Sequence, residues 1–226
     1  MNIDNYDKFC NQLIDVVKEF PSLSINEQNG KKYLKGVLDI ADDDTNIIGS
    51  YLIEIRFSEL FPFRFPILYE IGNDIPNNPD WHKYSDNSCC ITVLPDEIIK
   101  CKSGISVNDF IKRYCCSFFA NHIYRKKENH YLNDEYSHGS KGLKEFYTTL
   151  LRTDSKEQWI SFYNHVFGVA NVKYNRNDKC FCGSNKKFKI CHLKIFDIIR
   201  DIGKKYFWTD LISIYPLFYL LFYIKI

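Results

Sequence analysis

The sequence lacks a surplus of either charge. Thirty Lys and Arg stand against 28 Asp and Glu, a formal net charge of +2, so no global field draws the chain to nucleic acid or to an anionic membrane. Any basic patch has to be local. A secretory signal is also missing: "MNIDNYDKFCNQ" is acidic and polar where a signal peptide is basic and then apolar. The expectation is a cytoplasmic, reducing setting, in which nine cysteines read as thiols, metal ligands or core residues rather than as a disulfide framework. Nor is there an uncharged run long enough for a bilayer. In the tail "LISIYPLFYLLFYIKI" no charge falls between Leu211 and Ile224, yet fourteen helical residues span only about 21 Å against a hydrocarbon core of about 30 Å. Pro216 interrupts the run as well. The tail reads first as a packed element, then as a partner-binding or interfacial segment, and last as a membrane contact. Internal repeats and low-complexity tracts are absent too.

What is present can fill a core: 45% of residues are hydrophobic and 16% aromatic. At 226 residues the chain can make one large domain, or an ordinary domain with a small appendix. Phe9, Leu13, Val16, Val17 and Phe20 recur at helical spacing, and Pro21 ends that helix. "LSINEQNGKKYLKGVLDIA" predicts two strands turning at Asn29-Gly30, with Leu34, Leu38 and Ile40 on one face. "GSYLIEIRFSE" alternates likewise through Tyr51, Ile53, Ile55 and Phe57, and "ILYEIG" supplies a fourth strand. From Asn73 to Gly104 turn residues dominate, and an irregular segment of that length is usually functional. Ser106, with Asp109 three residues on, then caps a helix through about Arg125 whose apolar face carries Phe110, Ile111, Tyr114, Phe118 and His122. Further helices are predicted over 142–152 and 155–167. The whole is an α+β arrangement.

Inside the irregular segment, "SDNSCCITVLP" sets Cys89 beside Cys90. Neighbouring cysteines rarely bridge each other, because the geometry strains the peptide between them, so one of the two is a candidate reactive thiol. Here the residues resemble a family. "FPFRFPIL", residues 61–68, is similar to the proline-rich turn entering the fourth strand of ubiquitin-conjugating enzymes. "HKYSDNSCCI" resembles the histidine-x-tyrosine-x-aspartate-glycine-x-x-cysteine signature of bacterial proteins with that fold. His82, Tyr84 and Asp86 take the signature positions, Asn87 stands where glycine is usual, and Cys90 falls on the catalytic cysteine. Cys89 is then a small buried hydrophobe. "EYSHGSKGLKEFY", residues 135–147, resembles a histidine-glycine segment that follows the active-site helix in the bacterial branch.

The resemblance implies a UBC-like fold over residues 1–152, with acyl transfer through a thioester on Cys90. A thiolate attacks an activated acyl group readily and leaves as readily, so it can hold a carrier protein's carboxyl end and pass it to an amine. The oxyanion that develops needs an aimed donor. Eukaryotic relatives use the asparagine of a histidine-proline-asparagine turn, whereas this chain has "PDWHKY". His82 is considered first, with Tyr84 and backbone amides near Cys90 behind it; equally, His82 could simply cap the loop. His138 is a candidate base or substrate-orienting residue, since histidine titrates near neutral pH. Cys115 and Cys116 read as core, and Cys101 as core or as a second redox-active thiol.

A second constellation is "CFCGSNKKFKICH": Cys180, Cys182, Cys191 and His192 within thirteen residues, four ligands of the kind that suit tetrahedral zinc. Gly183 and Ser184 supply the turn that folds the chain over the metal. The string resembles the SEC-C motif, with Phe181 where proline is usual. Four protein ligands leave no place for water, which argues for a structural ion. Lys186, Lys187, Lys189 and Lys194, with Lys173 and Arg176, form a solvated face or a docking face for an acidic protein. Nucleic acid and membrane are disfavoured as partners.

The expected organisation is therefore a ubiquitin-conjugating-like domain over 1–152, a helix and linker over 153–175, a SEC-C zinc module over 176–200 and an apolar segment over 201–226. Proteins of this resemblance are often encoded beside nucleotidyltransferases of cyclic-oligonucleotide antiphage signalling (CBASS) systems. The implied partner is thus a protein with a reactive C-terminus, a CD-NTase among the candidates. The rival readings are a non-catalytic binding scaffold of the same fold and a thiol hydrolase that removes such adducts.

Overall fold

The computed structural model describes residues 3–131, 136–168 and 175–216. They fall into two compact units, one holding the residues up to Thr92 and those from Lys100 to residue 135, the other Val93–Ile99 and the residues from Tyr136 onward.

The first unit opens with helix α1 (Ile3–Glu19), which buries Phe9, Leu13 and Val16. A four-stranded antiparallel sheet follows in the order β1 (Leu23–Gln28), β2 (Lys31–Ala41), β3 (Ile47–Arg56), β4 (Ile67–Glu70). Its first hairpin turns at Asn29-Gly30, both residues with positive φ (53° and 71°), as a two-residue turn matched to strand twist requires. Leu34, Ile55 and Leu68 lie opposite one another across β2, β3 and β4 and are buried together. Their sheet face shares a core with α1 and with the segment from Val107 to Phe119, and Tyr51 stacks on Phe119 at 4.2 Å.

That last segment begins as the sequence predicts, with Ser106 Oγ accepting from the Asp109 amide at 3.0 Å. It continues as α3 (Val107–Phe110), a π-helical turn (Ile111–Cys115) and α4 (Cys116–Glu128). A π turn adds a residue to the repeat and shifts the phase of every side chain beyond it. Cys115 takes the buried place expected of Tyr114, Phe119 and Asn121 join Phe118 and His122 on the buried face, and Tyr114 packs at the rim. Simple helical periodicity does not predict that shift.

The segment from Asn73 to Gly104 is less irregular than expected. A 3₁₀ turn occupies Pro79–Trp81 and helix α2 occupies Leu94–Lys100. The start of α2 was written in the sequence, as Pro95 near the first position and Asp96 and Glu97 in the first turn, residues that suit a helix N-terminus.

The second unit collects α5 (Gly139–Leu151), α6 (Lys156–Val166), α7 (Phe188–Cys191), α8 (Leu193–Ile202) and α9 (Lys204–Ile214). The observed division thus falls before Tyr136, where the sequence suggested residue 152. Helix α5 buries Phe146, Tyr147 and Leu151 in a core with Trp159, Phe162, Ile199, Phe207 and Leu211, and Cys180 and Phe188 of the cysteine-rich segment belong to the same core. Gly142 permits the entry to α5: a Cβ there would lie 1.7 Å from the Ser137 carbonyl oxygen. Of the expected linker, residues 169–174 lie outside the described residues, as do 217–226 of the apolar tail. Among the described residues no helix is long and apolar enough to cross a membrane.

The core of this unit holds a carboxyl group. Asp210 is 6% exposed and accepts a 2.7 Å hydrogen bond from the Tyr147 hydroxyl. Burial raises its pKa to about 6, more than the tyrosine bond lowers it. A folded-state pKa above the unfolded value means that this group's contribution is fully present below about pH 4 and is lost as pH rises through about 6. Asp210→Asn should remove that dependence and stabilise the unit at pH 8 by about 3 kcal/mol, since one pKa unit corresponds to about 1.4 kcal/mol and the shift is from 3.8 to about 6. Thermal melts from pH 4 to pH 8 test this; equal slopes for the wild type and the variant would refute it.

Candidate functional site

The loop that carries Cys90 is built by local hydrogen bonding. Asn78 starts the 3₁₀ turn, its side chain accepting from the Asp80 amide at 2.9 Å, and His82 ends it in a left-handed conformation at φ 50°. The chain then doubles back. The Asn87 amide donates to the Tyr84 carbonyl at 3.0 Å, and the Tyr84 amide donates to the Ser88 carbonyl at 2.9 Å. Asp86 fixes the turn by accepting from both the amide and the hydroxyl of Ser88, bonds that hold its pKa below the usual carboxylate value. Asn87 adopts φ 68°, a conformation glycine takes freely and asparagine tolerates. The returning limb runs beside β4, where the Cys89 amide donates to the Leu68 carbonyl at 2.8 Å.

The two adjacent thiols face different surroundings. Cys89 packs against the first core, and burial pushes its thiol up to about 12. Cys90 is half-buried and unbridged. Its amide donates to the His82 carbonyl at 2.8 Å, and its Sγ lies 3.8 Å from the Thr92 carbonyl. Tyr84, 44% exposed, has its hydroxyl pKa raised by burial and next by a hydrogen bond with Cys90. His82 is 8% exposed, its ring edge-on to Tyr131 at 5.3 Å. His82, Tyr84 and Cys90 thus share one loop, and His138 directly precedes α5. Cys101 and Cys115 are sealed in the core, and Cys116 packs at its edge.

Sequence reading missed what lies beneath this loop. Lys83 and Glu70 are both fully buried and ion-paired. Lys83 Nζ also donates to the Ile75 carbonyl at 3.1 Å, while Glu70 accepts from the Asp74 and Ile75 amides. One signal was available: in β4 Glu70 shares the face of Leu68, and a carboxylate on a buried face requires a cation. His122, on α4, places Nε2 2.9 Å from the Trp81 carbonyl and Nδ1 2.8 Å from the Phe118 carbonyl. Burial lowers its pKa, against the pull of those two acceptors.

The second site lies in the other unit. A short hairpin pairs Lys179 with Lys187, and the turn between them passes through Gly183 at φ 77°. Helix α7 then delivers Cys191 and His192. The ligand atoms of Cys180, Cys182, Cys191 and His192 all lie within 4.8 Å of one another. Cys182 Sγ and Cys191 Sγ are 3.6 Å apart, and Cys180 Sγ is 3.1 Å from His192 Nδ1. A tetrahedral ion with sulfur ligands at about 2.3 Å requires edges of about 3.8 Å, so small shifts complete the shell.

The four candidate ligands differ in their protonation. Burial is the largest effect on both Cys180 and Cys182. It drives Cys180 up to about 12, whereas at Cys182 the Ser184 hydrogen bonds and the neighbouring thiols outweigh it and lower the pKa. Burial and then Arg152 lower the pKa of His192, favouring the neutral ring that can ligate. The Ser184 hydroxyl is 3.2 Å from Cys182 Sγ and 3.3 Å from Cys191 Sγ. Phe181 stacks on His165 at 4.5 Å and meets Phe162 edge-on, so it anchors the turn in the helical core. Arg176, Lys186, Lys187, Lys189 and Lys194 are exposed, beside an Ile190 that is 72% exposed. Lys173 lies outside the described residues.

The family model for the SEC-C motif matches residues 176–194. Compared with curated proteins and with solved structures, the chain matches none.

Proposed function

We propose that this protein is a ubiquitin-conjugating-like transferase with a UBC-like first unit, which carries the C-terminal acyl group of a partner protein as a thioester on Cys90. The observation that carries the reading is the difference between the adjacent thiols, both part-buried: Cys89 packs against the core with its thiol pushed up to about 12, while Cys90 is carried on a built loop and hydrogen-bonds with Tyr84. The order of helix, four-strand antiparallel meander, cysteine-bearing loop and helix supports it, as does the left-handed Asn87 at the signature's glycine position. In the reaction the Cys90 thiolate attacks a carrier carboxyl group already activated as a thioester or acyl-adenylate and expels that leaving group. A lysine amine then attacks the new thioester, releasing the Cys90 thiolate and giving up its own proton to water or a base. Tyr84, hydrogen-bonded to Cys90, is placed to donate to the developing oxyanion. His82 serves the loop through its carbonyl and backbone conformation.

The second unit is read as a structural zinc unit, its four protein ligands leaving no open position for catalysis. The partner is a protein with a reactive C-terminus, and the resemblance makes a nucleotidyltransferase of an antiphage system the first to try.

A denaturing gel of protein recovered with its partner decides between readings. Transfer predicts an adduct that reductant removes from the wild type, persists as an oxyester on Cys90→Ser and is absent from Cys90→Ala. Adducts that vanish when the protein is added indicate a hydrolase. Binding unaffected by Cys90→Ala, with no adduct under any condition, indicates a scaffold.

A further inference from the structure

Three consecutive carbonyls, those of Asp80, Trp81 and His82, precede the reactive loop, and each lies within hydrogen-bonding distance of a nitrogen. Arg125 Nη1 donates to the Asp80 carbonyl. His122 Nε2 lies 2.9 Å from the Trp81 carbonyl. The amide of Cys90 itself donates to the His82 carbonyl at 2.8 Å. The first two donors stand on α4 one helical turn apart, so one rigid element grips the strand of chain to which the Cys90 backbone is tied.

The grip has supports of its own. The Arg125 guanidinium lies 4.0 Å from the centre of the Trp81 ring and 4.6 Å from that of Tyr131, and it donates to the Tyr131 hydroxyl at 2.6 Å. His122 is wholly buried, with its ring 4.3 Å from that of Phe118. At the far end of the turn, His82 is held at φ 50°, a conformation a non-glycine residue keeps only where its surroundings enforce it. If the carbonyls of Asp80 and Trp81 are released, the His82 carbonyl is held toward the Cys90 amide only through the turn's backbone bonds, such as those from the His82 and Lys83 amides to the Pro79 and Asn78 carbonyls.

We infer that His122 and Arg125 are positioning residues for Cys90, a clamp from α4 that sets the thiol's exposure and direction through the Asp80–His82 carbonyls. The inference rests on Cys90 being the reacting thiol of the proposed function. It also explains why a histidine occupies the buried face of α4: it is a ring that fills apolar volume yet carries a donor at its tip.

The test is alkylation of the full-length protein by iodoacetamide, followed by peptide mass spectrometry with fragmentation to separate Cys90 from Cys89. His122→Phe keeps the ring and removes the donor; Arg125→Met keeps the stem and removes the donor. Because one net hydrogen bond governs local opening by about two- to tenfold, each variant should alkylate faster at Cys90 by about that factor. His122→Gln, whose amide N–H stands in for Nε2, should return the rate toward wild type, a rescue that a mere packing role would not produce. The fully buried Cys101 and Cys115 should stay protected and so report an intact fold. Wild-type Cys90 rates in both donorless variants, or a glutamine variant no better than phenylalanine, would overturn the clamp. Should His122→Phe unfold and expose Cys101, Arg125→Met alone decides, by the same criterion. Alkylation needs no partner, so a wild type that never captures a carrier rejects the transfer reading, while the alkylation rates still decide the clamp.

Discussion

Lys83→Met is expected to destabilise the first unit by about 3–5 kcal/mol, the cost of leaving a buried carboxylate without its cation. Lys83 and Glu70 are fully buried, so solvent does not screen the remaining charge. After the substitution Glu70 keeps only the Asp74 and Ile75 amides, two long hydrogen bonds at 3.3 and 3.4 Å. The Ile75 carbonyl loses its donor as well. Replacing both partners, as Lys83→Met with Glu70→Leu, should recover most of the loss, because an apolar pair has no charge to desolvate. Denaturant unfolding of the two single variants and the double variant gives the coupling directly. A single-variant cost under about 1 kcal/mol would mean that water reaches the pair, which contradicts its burial. The pair sits beneath the reactive loop, since Lys83 bridges to Cys89, so a weakened pair should also raise alkylation at Cys90.

Removing the metal should have the larger effect, in the other unit. Cys191→Ser, or a strong chelator, is expected to take the zinc content from about one per chain to near zero and to unfold the helices of the second unit, not the cysteine-rich turn alone. Structural zinc contributes on the order of 10 kcal/mol to folding in small modules. Here Cys180 and Phe188 lie in the same core as Phe146, Tyr147 and Trp159, and the ligand His192 packs edge-on against Phe162 of α6. Loss of the metal therefore opens that core to water. Helical circular dichroism and the fluorescence of Trp159 and Trp208 should fall together, while the first unit, with its own core, keeps its cooperative transition. Zinc loss with an unchanged second-unit melt would show that the helices hold the turn rather than the reverse.

Local regularities in the sequence located most of the elements. The alternation of Leu34, Leu38 and Ile40 and the Asn29-Gly30 turn specify the β1–β2 hairpin, and Ser106 specifies the start of the long helix. The close spacing of Cys180, Cys182, Cys191 and His192 brings the metal ligands together within one turn and one short helix. Such features are legible because each depends on residues a few positions apart, through pleat, helical repeat, capping or ligand bite. The Cys89–Cys90 pair shows the limit of that reading: the sequence marks two thiols, and the fold packs Cys89 against the core while Cys90 hydrogen-bonds with Tyr84.

Alone, the sequence determined the α+β class, the four-strand meander and the clustering of the four candidate metal ligands, since short-range geometry suffices for each. Tertiary structure decided that α5 joins the core of the cysteine-rich segment, that His122 meets the Trp81 carbonyl, and that Lys83 and Glu70 meet across thirteen residues. Those outcomes turn on which apolar faces find each other and which buried charges find partners. Both are set by contacts between residues far apart in the chain, and no local pattern encodes them.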